Sequence, residues 1–382
     1  MKSNYEPLGK HIRLVDYRNS EEVTSTVLGI SIDKEFMPSV ANVIGTDLSR
    51  YKLISKGLFA CNPMHVGRDE RLPIALYEKD NAAVVSPAYF MFEIIDRDVL
   101  NEEYLMMWFR RPEFDRECWF MTDGSVRGGI TWDDLCRIKL PVPSYARQYE
   151  IVESYRAITN RIALKRAEND NLAAQALAIL SDFISNANED WKQGKLGDVI
   201  TSANTGGDAI QKVPIVDYDT GIKCARVGDI TNAREYASWA FCSATKAVYE
   251  NYKLQGGDIL VTRTATLGIT QYISNDISAV YNNGLIRLKV DRAKALPLYV
   301  YWEINTLDFM NYINQMNSAT SVRPNMKIDY LLNYQMLIPP IEEQTQFARK
   351  AEAIRAAISF NSDEILKLVE LQTTILATLS SR

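Results

Sequence analysis

The sequence has few histidines, no closely paired cysteines and no long apolar run, and each shortage argues against a class of protein. His11 and His65 are the only histidines, which leaves little for a histidine-based zinc site or a Ser-His triad. The five cysteines are odd in number and never in C-x-x-C spacing, so we expect reduced, buried thiols rather than disulfides. No run approaches the roughly 18 apolar residues of a membrane span, and the N-terminal residues lack the apolar core of a signal peptide. These features predict a cytoplasmic protein without a metal site.

The composition is that of an ordinary globular protein of two or three domains. Of its 382 residues, 47% are hydrophobic and 24% are charged. The net charge of −5 counts mildly against nucleic-acid binding, for which a basic face is usual. A net value does not exclude a local basic cleft, however, because binding depends on where the charges lie.

The chain contains an internal repeat with a period of 196 residues in the second part of each half. Ser125-Val126-Arg127 recurs as Ser321-Val322-Arg323, and Gln148 recurs as Gln344. Further matches are Leu135 with Leu331, Leu140-Pro141-Val142-Pro143 with Leu337-Ile338-Pro339-Pro340, Leu8-Gly9 with Leu196-Gly197, and Tyr51-Lys52 with Tyr252-Lys253. The last two matches are offset by 188 and 201 residues, so the front of each half has taken insertions. The period exceeds the roughly 20–50 residues of a solenoid unit, which indicates duplication of a whole domain together with a helix.

A long helix is predicted after each proline-rich junction. Apolar residues recur there in alternating steps of four and three, which is typical of helices paired lengthwise in a coiled coil. Lys165, Asn169, Asn361 and Gln372 are polar positions within this seam, and Asn361 is a natural candidate for setting the register. Each helix would have roughly 37 residues and a length of about 55 Å. The apolar seam comprises Ile151, Tyr155, Ile158, Ile162, Leu172, Ala176, Ile179 and Phe183 in the first helix and Phe347, Ala351, Ile354, Ile358, Ile365, Leu368, Ile375 and Leu379 in the second.

The segments before the helices show mixed α and β patterns. Residues 259–262 and the alternating Ile286, Leu288 and Val290 predict strands, and residues 298–316 have helical spacing. In the first half, residues 89–92 predict a strand and 101–109 a helix. We therefore predict an α+β fold with two tandem domains, each followed by one long helix of a coiled coil. The predicted boundaries are 1–145 for the first domain, 146–188 for the first helix, 189–340 for the second domain and 341–382 for the second helix.

This order resembles the specificity subunit of type I restriction-modification systems over nearly the whole chain. The resemblance rests chiefly on the junctions, Leu337-Ile338-Pro339-Pro340-Ile341-Glu342-Glu343-Gln344 and Leu140-Pro141-Val142-Pro143 through Gln148. Ser49-Arg50-Tyr51-Lys52 and Val85-Ser86-Pro87-Ala88-Tyr89 are also similar to the first-domain pattern of many members. The first junction departs from the usual form, since Ser144-Tyr145-Ala146-Arg147 stands where an acidic pair is more typical.

The resemblance implies a non-catalytic, DNA-binding chain within a larger complex. Two target recognition domains would each read one half of a bipartite, asymmetric site in double-stranded DNA, and the antiparallel helices would set the spacing between the halves. Two methyltransferase subunits would dock on the chain, and motor-nuclease restriction subunits would join them. The partner subunits would bind S-adenosylmethionine, together with ATP and Mg²⁺ for restriction, and this chain would hold no cofactor.

Candidate DNA contacts are the polar and basic residues of predicted loops, because Arg, Asn and small hydroxyl side chains suit phosphates and base edges. The repeated Ser-Val-Arg is the first choice, and its repetition favours a shared task such as holding the DNA backbone. The candidates are Tyr17, Arg18, Asn19, Arg68, Ser125 and Arg127 in the first half, and Thr205, Arg226, Arg263, Thr264, Ser321, Arg323 and Asn325 in the second.

Two other classes of function remain open from the residues alone. A self-contained methyltransferase or nuclease would need a catalytic motif, and the candidates are poor. Asn62-Pro63-Met64-His65 only partly matches the N-P-P-[FY] loop of adenine methyltransferases, and Asp190-Trp191-Lys192 is a D-x-K triplet without a clear acidic partner. No phosphate-binding G-x-x-x-x-G-K-[ST] loop is present. A tandem adaptor that binds only proteins is the second alternative.

Overall fold

The structure is a computed structural model that describes residues 5–39, 45–122, 128–234, 236–318 and 325–379. It contains two compact units, Met1–Ile162 with Leu368–Arg382, and Ala163–Lys367. Each long helix is divided between the units, so these units differ from the predicted domains, whose boundaries stay a prediction. Within the described residues, no helix is both long and apolar enough to cross a membrane.

The first unit begins with an α+β region, residues 5–141, which we call the first head. Its strands are β1 (Tyr5–Pro7), β2 (Ile12–Leu14), β3 (Val27–Ile30), β4 (Phe36–Pro38), β5 (Lys52–Ile54), β6 (Phe59–Cys61), β7 (Ile74–Leu76), β8 (Ala83–Val85), β9 (Phe90–Ile94) and β10 (Lys139–Pro141). Its helices are α1 (Val66–Asp69), α2 (Glu102–Phe109), α3 (Pro112–Phe120) and α4 (Trp132–Arg137), and the long helix α5 (Tyr145–Ser185) follows.

The second unit contains the corresponding second head, residues 192–338. Its strands are β11 (Lys192–Lys195), β12 (Ile200–Thr205), β13 (Ile215–Val216), β14 (Lys223–Ala225), β15 (Phe241–Cys242), β16 (Ile259–Thr262), β17 (Thr270–Tyr272), β18 (Ala279–Tyr281), β19 (Leu285–Val290) and β20 (Gln335–Ile338). Its helices are α6 (Val227–Thr231), α7 (Lys246–Tyr252), α8 (Pro297–Glu303), α9 (Leu307–Ser318) and α10 (Ile328–Leu332), and the long helix α11 (Ile341–Thr378) follows.

The two heads share an antiparallel sheet, one parallel strand pair and a closing two-stranded sheet, and these shared features reflect the sequence repeat. Each head contains a four-stranded antiparallel sheet, in the order β2-β9-β6-β7 in the first and β12-β19-β16-β17 in the second. Each also contains a mixed sheet with one parallel pair, β3 with β8 and β14 with β18. A two-stranded sheet closes each head by pairing its first strand with its last, β1 with β10 and β11 with β20.

The predicted α+β fold with two long antiparallel helices is confirmed, and local differences have physical causes. The strand predicted at 259–262 is β16, and residues 286–290 lie in β19. The helical spacing at 298–316 corresponds to two helices rather than one, because the chain leaves the helix after Glu303. The Thr306 hydroxyl accepts the backbone N–H of Phe309 and so starts the second helix. Both long helices slightly exceed the predicted 37 residues, with 41 in α5 and 38 in α11.

The repeated Leu-Gly pair closes each head. The N–H of Leu8 donates to the carbonyl of Ile138 at 2.8 Å, and the N–H of Leu196 donates to that of Tyr334 at 2.8 Å. A Cβ on Gly9 would lie 2.7 Å from Cβ of Cys136, so the chains approach too closely there for a side chain. The repeated glycine therefore allows the first turn of each head to pack against the helix before its last strand.

The long helices run antiparallel, and polar contacts identify facing positions. In the first unit, the Gln372 amide donates to Oγ1 of Thr159 at 2.7 Å. In the second unit, Phe183 stacks on Phe347 with ring centroids 5.6 Å apart, and Lys165 contacts Asn361. Along α5 from Lys165 to Phe183, the contacted residue of α11 moves back from Asn361 to Phe347. The two helices are therefore antiparallel.

Candidate nucleic-acid interface

A repeated buried glutamine joins each head to its long helix. Gln148 is fully buried; its Oε1 accepts the N–H of Asn101 at 2.9 Å, and its Nε2 donates to the carbonyls of Val99 and Pro143. Gln344 repeats this arrangement, since Oε1 accepts the N–H of Leu296 at 2.7 Å and Nε2 donates to the carbonyl of Pro339. The same side chain thus fixes the first turn of a head helix in both units, and the junctions position the heads' loops.

The loops of the second head converge on the turn between β18 and β19, residues Asn282–Gly284. Register explains why: Thr205 pairs with Ile286 and Thr262 pairs with Leu285, so β12 and β16 end beside the start of β19. Three of the sequence-predicted segments, those at 205–207, 226 and 263–264, therefore meet at one edge.

The backbone of this turn is bonded to all three segments. The N–H of Asn283 donates to the carbonyl of Gly207 at 2.9 Å, and the N–H of Asn282 donates to that of Ala225 at 3.0 Å. The N–H of Arg263 donates to the carbonyl of Gly284 at 3.0 Å. The turn is thus fixed by residues distant in the sequence.

Arg263 ties the turn to the segment that follows residue 324. Its Nη1 donates to the carbonyl of Asn283 and its Nε to that of Met326, both at 3.2 Å. The N–H of Met326 returns a bond to the Arg263 carbonyl, and Thr264 forms a β-bridge with exposed Asn325. Arg263 therefore holds loops together, while Thr264 and Asn325 lie side by side.

Arg226 and Thr205 are half-buried at the same edge. The Arg226 guanidinium donates to both carboxylate oxygens of Asp229, at 3.0 and 3.3 Å, and Asp229 is buried. The hydrogen bond to Asp229 raises the pKa of Arg226, so its charge is retained. Thr205 ends β12 directly before Gly206, whose Cβ would lie only 2.2 Å from the Tyr281 carbonyl oxygen. The predicted Thr-Gly-Gly loop is thus a site of close backbone approach.

The first-head candidates Tyr17, Arg18 and Asn19 form one loop with different exposures. Tyr17 and Arg18 are exposed, and the Arg18 guanidinium donates to Asp16 and to the Arg50 carbonyl, both at 2.8 Å. Asn19 is 0% exposed. Its amide donates to the Thr24 and Leu48 carbonyls and accepts the Thr24 N–H, so it holds the loop rather than presenting a free side chain.

Arg68 and the repeated Ser-Val-Arg complete the set of candidates. Arg68 is exposed on α1 and donates to both oxygens of the adjacent Asp69 carboxylate, at 2.7 and 2.9 Å. Ser125, Arg127, Ser321 and Arg323 lie outside the described residues. The role of all these candidates in DNA contact stays a prediction.

Sequence reasoning missed Asn282 and Asn283 in the second head and Lys52 in the first. Lys52 donates to the carbonyl of Tyr89 at 2.6 Å, and burial lowers its pKa while the nearby Asp16 carboxylate opposes that shift. It thus links the turn after β8 to β5. Lys52 belongs to the Tyr51-Lys52 repeat, whereas Asn282-Asn283-Gly284 has only the residue types of a turn as its sequence signal.

The seam residues of the long helices are buried or half-buried, and their polar positions contact each other. Asn361 is 3% exposed; its Oδ1 accepts Nζ of Lys165 at 2.9 Å, and its Nδ2 donates to Oδ1 of Asn169 at 3.0 Å. We call Lys165, Asn169 and Asn361 the polar lock. Since these bonds form in one alignment of the helices, the lock favours one register. The predicted seam positions that are buried or half-buried include Ile151, Tyr155, Ile158, Ile162, Leu172, Ile179, Phe347, Ile354, Ile358, Ile365, Leu368 and Ile375.

The two segments that partly match catalytic motifs make local structural contacts. The Asn62 carboxamide accepts the N–H of Met64 and caps a short turn, whereas the Asp190 N–H donates to the Asn188 side chain. Among the described residues, no cluster of three His, Cys, Asp or Glu side chains is arranged to hold a metal ion.

Comparisons with known proteins find one matching sequence domain and similar folds. Residues 188–371 match the sequence model of the type I restriction modification DNA specificity domain. The fold is similar to the crystal structure of a type I restriction-modification system S subunit from M. genitalium, with a TM-score of 0.55 and 13% identity over 99% of this chain and 96% of that one. The HsdS subunit from Thermoanaerobacter tengcongensis also matches, with a TM-score of 0.38 and 16% identity over 98% and 95% of the two chains.

At 13% identity the likeness to the M. genitalium structure shows the fold, while the sequence match identifies a specificity domain in the second half. A comparison with curated proteins gives no match. The first head repeats the sheet order, the closing strands and the buried glutamine of the matched half. Residues 188–371 therefore form a type I restriction modification DNA specificity domain.

Proposed function

We propose that this chain selects a bipartite, asymmetric DNA site, with each head reading one half of it. The target recognition domains would be residues 1–145 and 189–340, and the spacer helices residues 146–188 and 341–382. The observation that carries the proposal is the paired construction of the heads. Both have the same antiparallel sheet and glutamine junction, and different loops at the corresponding edges. One frame with two sets of loops suits two different half-sites.

The helices would set the number of unread base pairs between the half-sites. The polar lock supports this role, because a spacer works as a ruler only if its helices keep one register. A slip of one seam position would leave Asn361 buried without its two partners, at a cost of about 1–3 kcal/mol per unpaired polar group.

Equivalent exposed apolar side chains on the helices support docking of two identical partners. Leu164 and Phe360 are 196 residues apart in the repeat, and they are 70% and 69% exposed. Large apolar side chains this exposed on a helix surface often mark contacts with other proteins. A repeated chain offers equivalent contacts twice, so we propose that each receives one methyltransferase subunit, with restriction subunits joining the complex.

The chain would contribute recognition and scaffolding, while its partners supply catalysis. The methyltransferase subunits would bind S-adenosylmethionine, and the restriction subunits would use ATP and Mg²⁺. The work of this chain's own residues would be to hold the loops and keep the helix register.

The proposal is tested by sequencing methylated sites in a host that lacks other modification systems. The chain is co-expressed with its cognate methyltransferase subunit and omitted in the control. We expect two short specific blocks around a fixed unread gap, present only with the chain. If the complex assembles with an active partner and no new motif appears, the DNA-recognition proposal is wrong and the protein-adaptor alternative gains support.

The ruler is tested by adding one heptad to each helix on the same side of the polar lock, after Asn171 and after Ser359. Seven residues lengthen a helix by about 10 Å, so the unread gap should grow by roughly three base pairs. Both half-site sequences should stay unchanged. Insertion of seven alanines into the loop after Asp217 is the control for added length alone. A changed half-site sequence, or an unchanged gap in an assembled complex, would contradict the ruler.

A further inference from the structure

The side chain of Asn283 is exposed at the centre of the loops that meet in the second head. Its backbone N–H donates to Gly207 and its carbonyl accepts from Arg263. No hydrogen bond joins its carboxamide to another described residue. The main chain is therefore fully anchored, and the amide group faces solvent from a fixed position.

The turn that carries Asn283 has little room to change shape. A Cβ on Gly284 would lie 2.5 Å from Cγ2 of Val227 and 3.0 Å from Oγ1 of Thr264. The Asn282 carboxamide accepts the N–H of Gly284 at 3.1 Å and closes the turn from inside. Such anchoring reduces the conformational entropy that a contact with a ligand would cost.

The corresponding turn of the first head presents different chemistry. It joins β8 to β9 through Ser86, Pro87 and Ala88, and the Ser86 hydroxyl accepts the N–H of Ala88. Pro87 and Ala88 are exposed, so this turn offers no side-chain amide to solvent. The two heads thus share a turn at one topological position and differ in what it offers, as expected where two frames read different sequences.

We propose that Asn283 is a specificity-determining residue of the second head and reads the edge of an adenine in the major groove. An asparagine amide both donates and accepts, which matches the adjacent N6 donor and N7 acceptor of adenine. Thr264 and Asn325 lie beside the same turn and can hold the DNA backbone, while Arg263 positions the turn. This inference rests on the proposed function, and it adds which residue reads a base and which base it reads.

The test compares methylation motifs of the assembled complex carrying wild-type chain, Asn283→Ala, Asn283→Asp or Asn275→Ala. Asn275 is the matched control: it is also exposed, but it lies beside Gly256, at the opposite end of β16 from Arg263. Because the turn is anchored through its main chain, the Asn283 variants should assemble as wild type does.

We expect Asn283→Ala to relax one adenine position in one half-site by roughly 5- to 150-fold, the range for loss of a bidentate contact. Asn283→Asp should shift that position toward cytosine, whose N4 donor pairs with a carboxylate. The other half-site, the gap and the Asn275→Ala motif should not change.

Two results would overturn the inference while leaving the proposed function intact. One is an unchanged motif with unchanged methylation in both Asn283 variants. The other is an equal loss of methylation at every site with the motif preserved, which would make Asn283 a backbone contact. Absence of a split motif with wild-type chain would reject the proposed function first, and this inference with it.

Discussion

The two heads have the same strand order in their antiparallel sheets, but their mixed sheets have different edge strands. The mixed sheets read β4-β3-β8-β5 and β13-β15-β14-β18. The first head places β5 beside β8, whereas at the corresponding place in the second head the N–H of Leu254, outside any strand, donates to the carbonyl of Ala279. The second head instead adds β13 beside β15. The repeat thus retains the parts that close each head on its helix, and variation is concentrated in the edges and loops.

Replacing either repeated glutamine should have the largest effect, and the effect should be similar in both units. Gln148→Leu and Gln344→Leu each leave one N–H and at least two carbonyls without their side-chain partner. A buried unsatisfied group costs about 1–3 kcal/mol, so we expect a loss of roughly 3–5 kcal/mol in each case. The measurement is the urea midpoint of the full chain.

Gln346→Leu is the matched control for the glutamine variants, because Gln346 is exposed on the same helix as Gln344. It should leave the midpoint nearly unchanged. A large loss for one junction with little effect at the other would show that the two heads are not held in the same way.

A pH dependence should distinguish the second unit from the first. Glu303 is 5% exposed, its Oε2 has no hydrogen-bond partner among the described residues, and burial raises its pKa to about 7. Buried Trp108, which has no titratable group, occupies the corresponding position of the first unit, 195 residues earlier.

Because the folded-state pKa of Glu303 is raised, its contribution favours folding at low pH and is lost as the pH rises through about 7. The loss between about pH 4.5 and 7 should reach roughly 3 kcal/mol by linkage. Unfolding followed across this range should show the decline for wild type, and Glu303→Gln should remove it. An unchanged pH profile in Glu303→Gln would assign the dependence to another group.

The repeated glycines should respond unequally to the same substitution. Gly9→Ala places Cβ 2.7 Å from Cβ of Cys136, and overpacking of this kind costs about 1–3 kcal/mol. Gly197→Ala meets the Leu332 carbonyl oxygen at 3.2 Å, so its loss should stay below about 1 kcal/mol. Thermal unfolding measures both, with Gly29→Ala as the control because its Cβ would have open space. Equal losses would contradict the tighter approach in the first head.

Periodic features were predictable from the sequence, whereas the turn on which the predicted loops of the second head converge was not. The helix seam and the polar positions Asn361 and Lys165 follow a regular spacing, which is visible in the amino-acid sequence alone. Asn283 has no such pattern, because its position depends on Gly207 and Arg263, which lie 76 and 20 residues away in the chain. Helix periodicity also concealed the break after Glu303, where a local hydroxyl cap starts a new helix.

The most direct test of whether each head reads its own half-site is a chain in which a second copy of the second head replaces the first head. Residues 5–141 are exchanged for 192–338, since each segment begins and ends with a strand of the closing sheet. Sequencing of methylated sites should then show the second head's half-site twice, as an inverted repeat around the original gap, because the helices are antiparallel. An unchanged asymmetric motif from the assembled complex would contradict separate reading by the two heads.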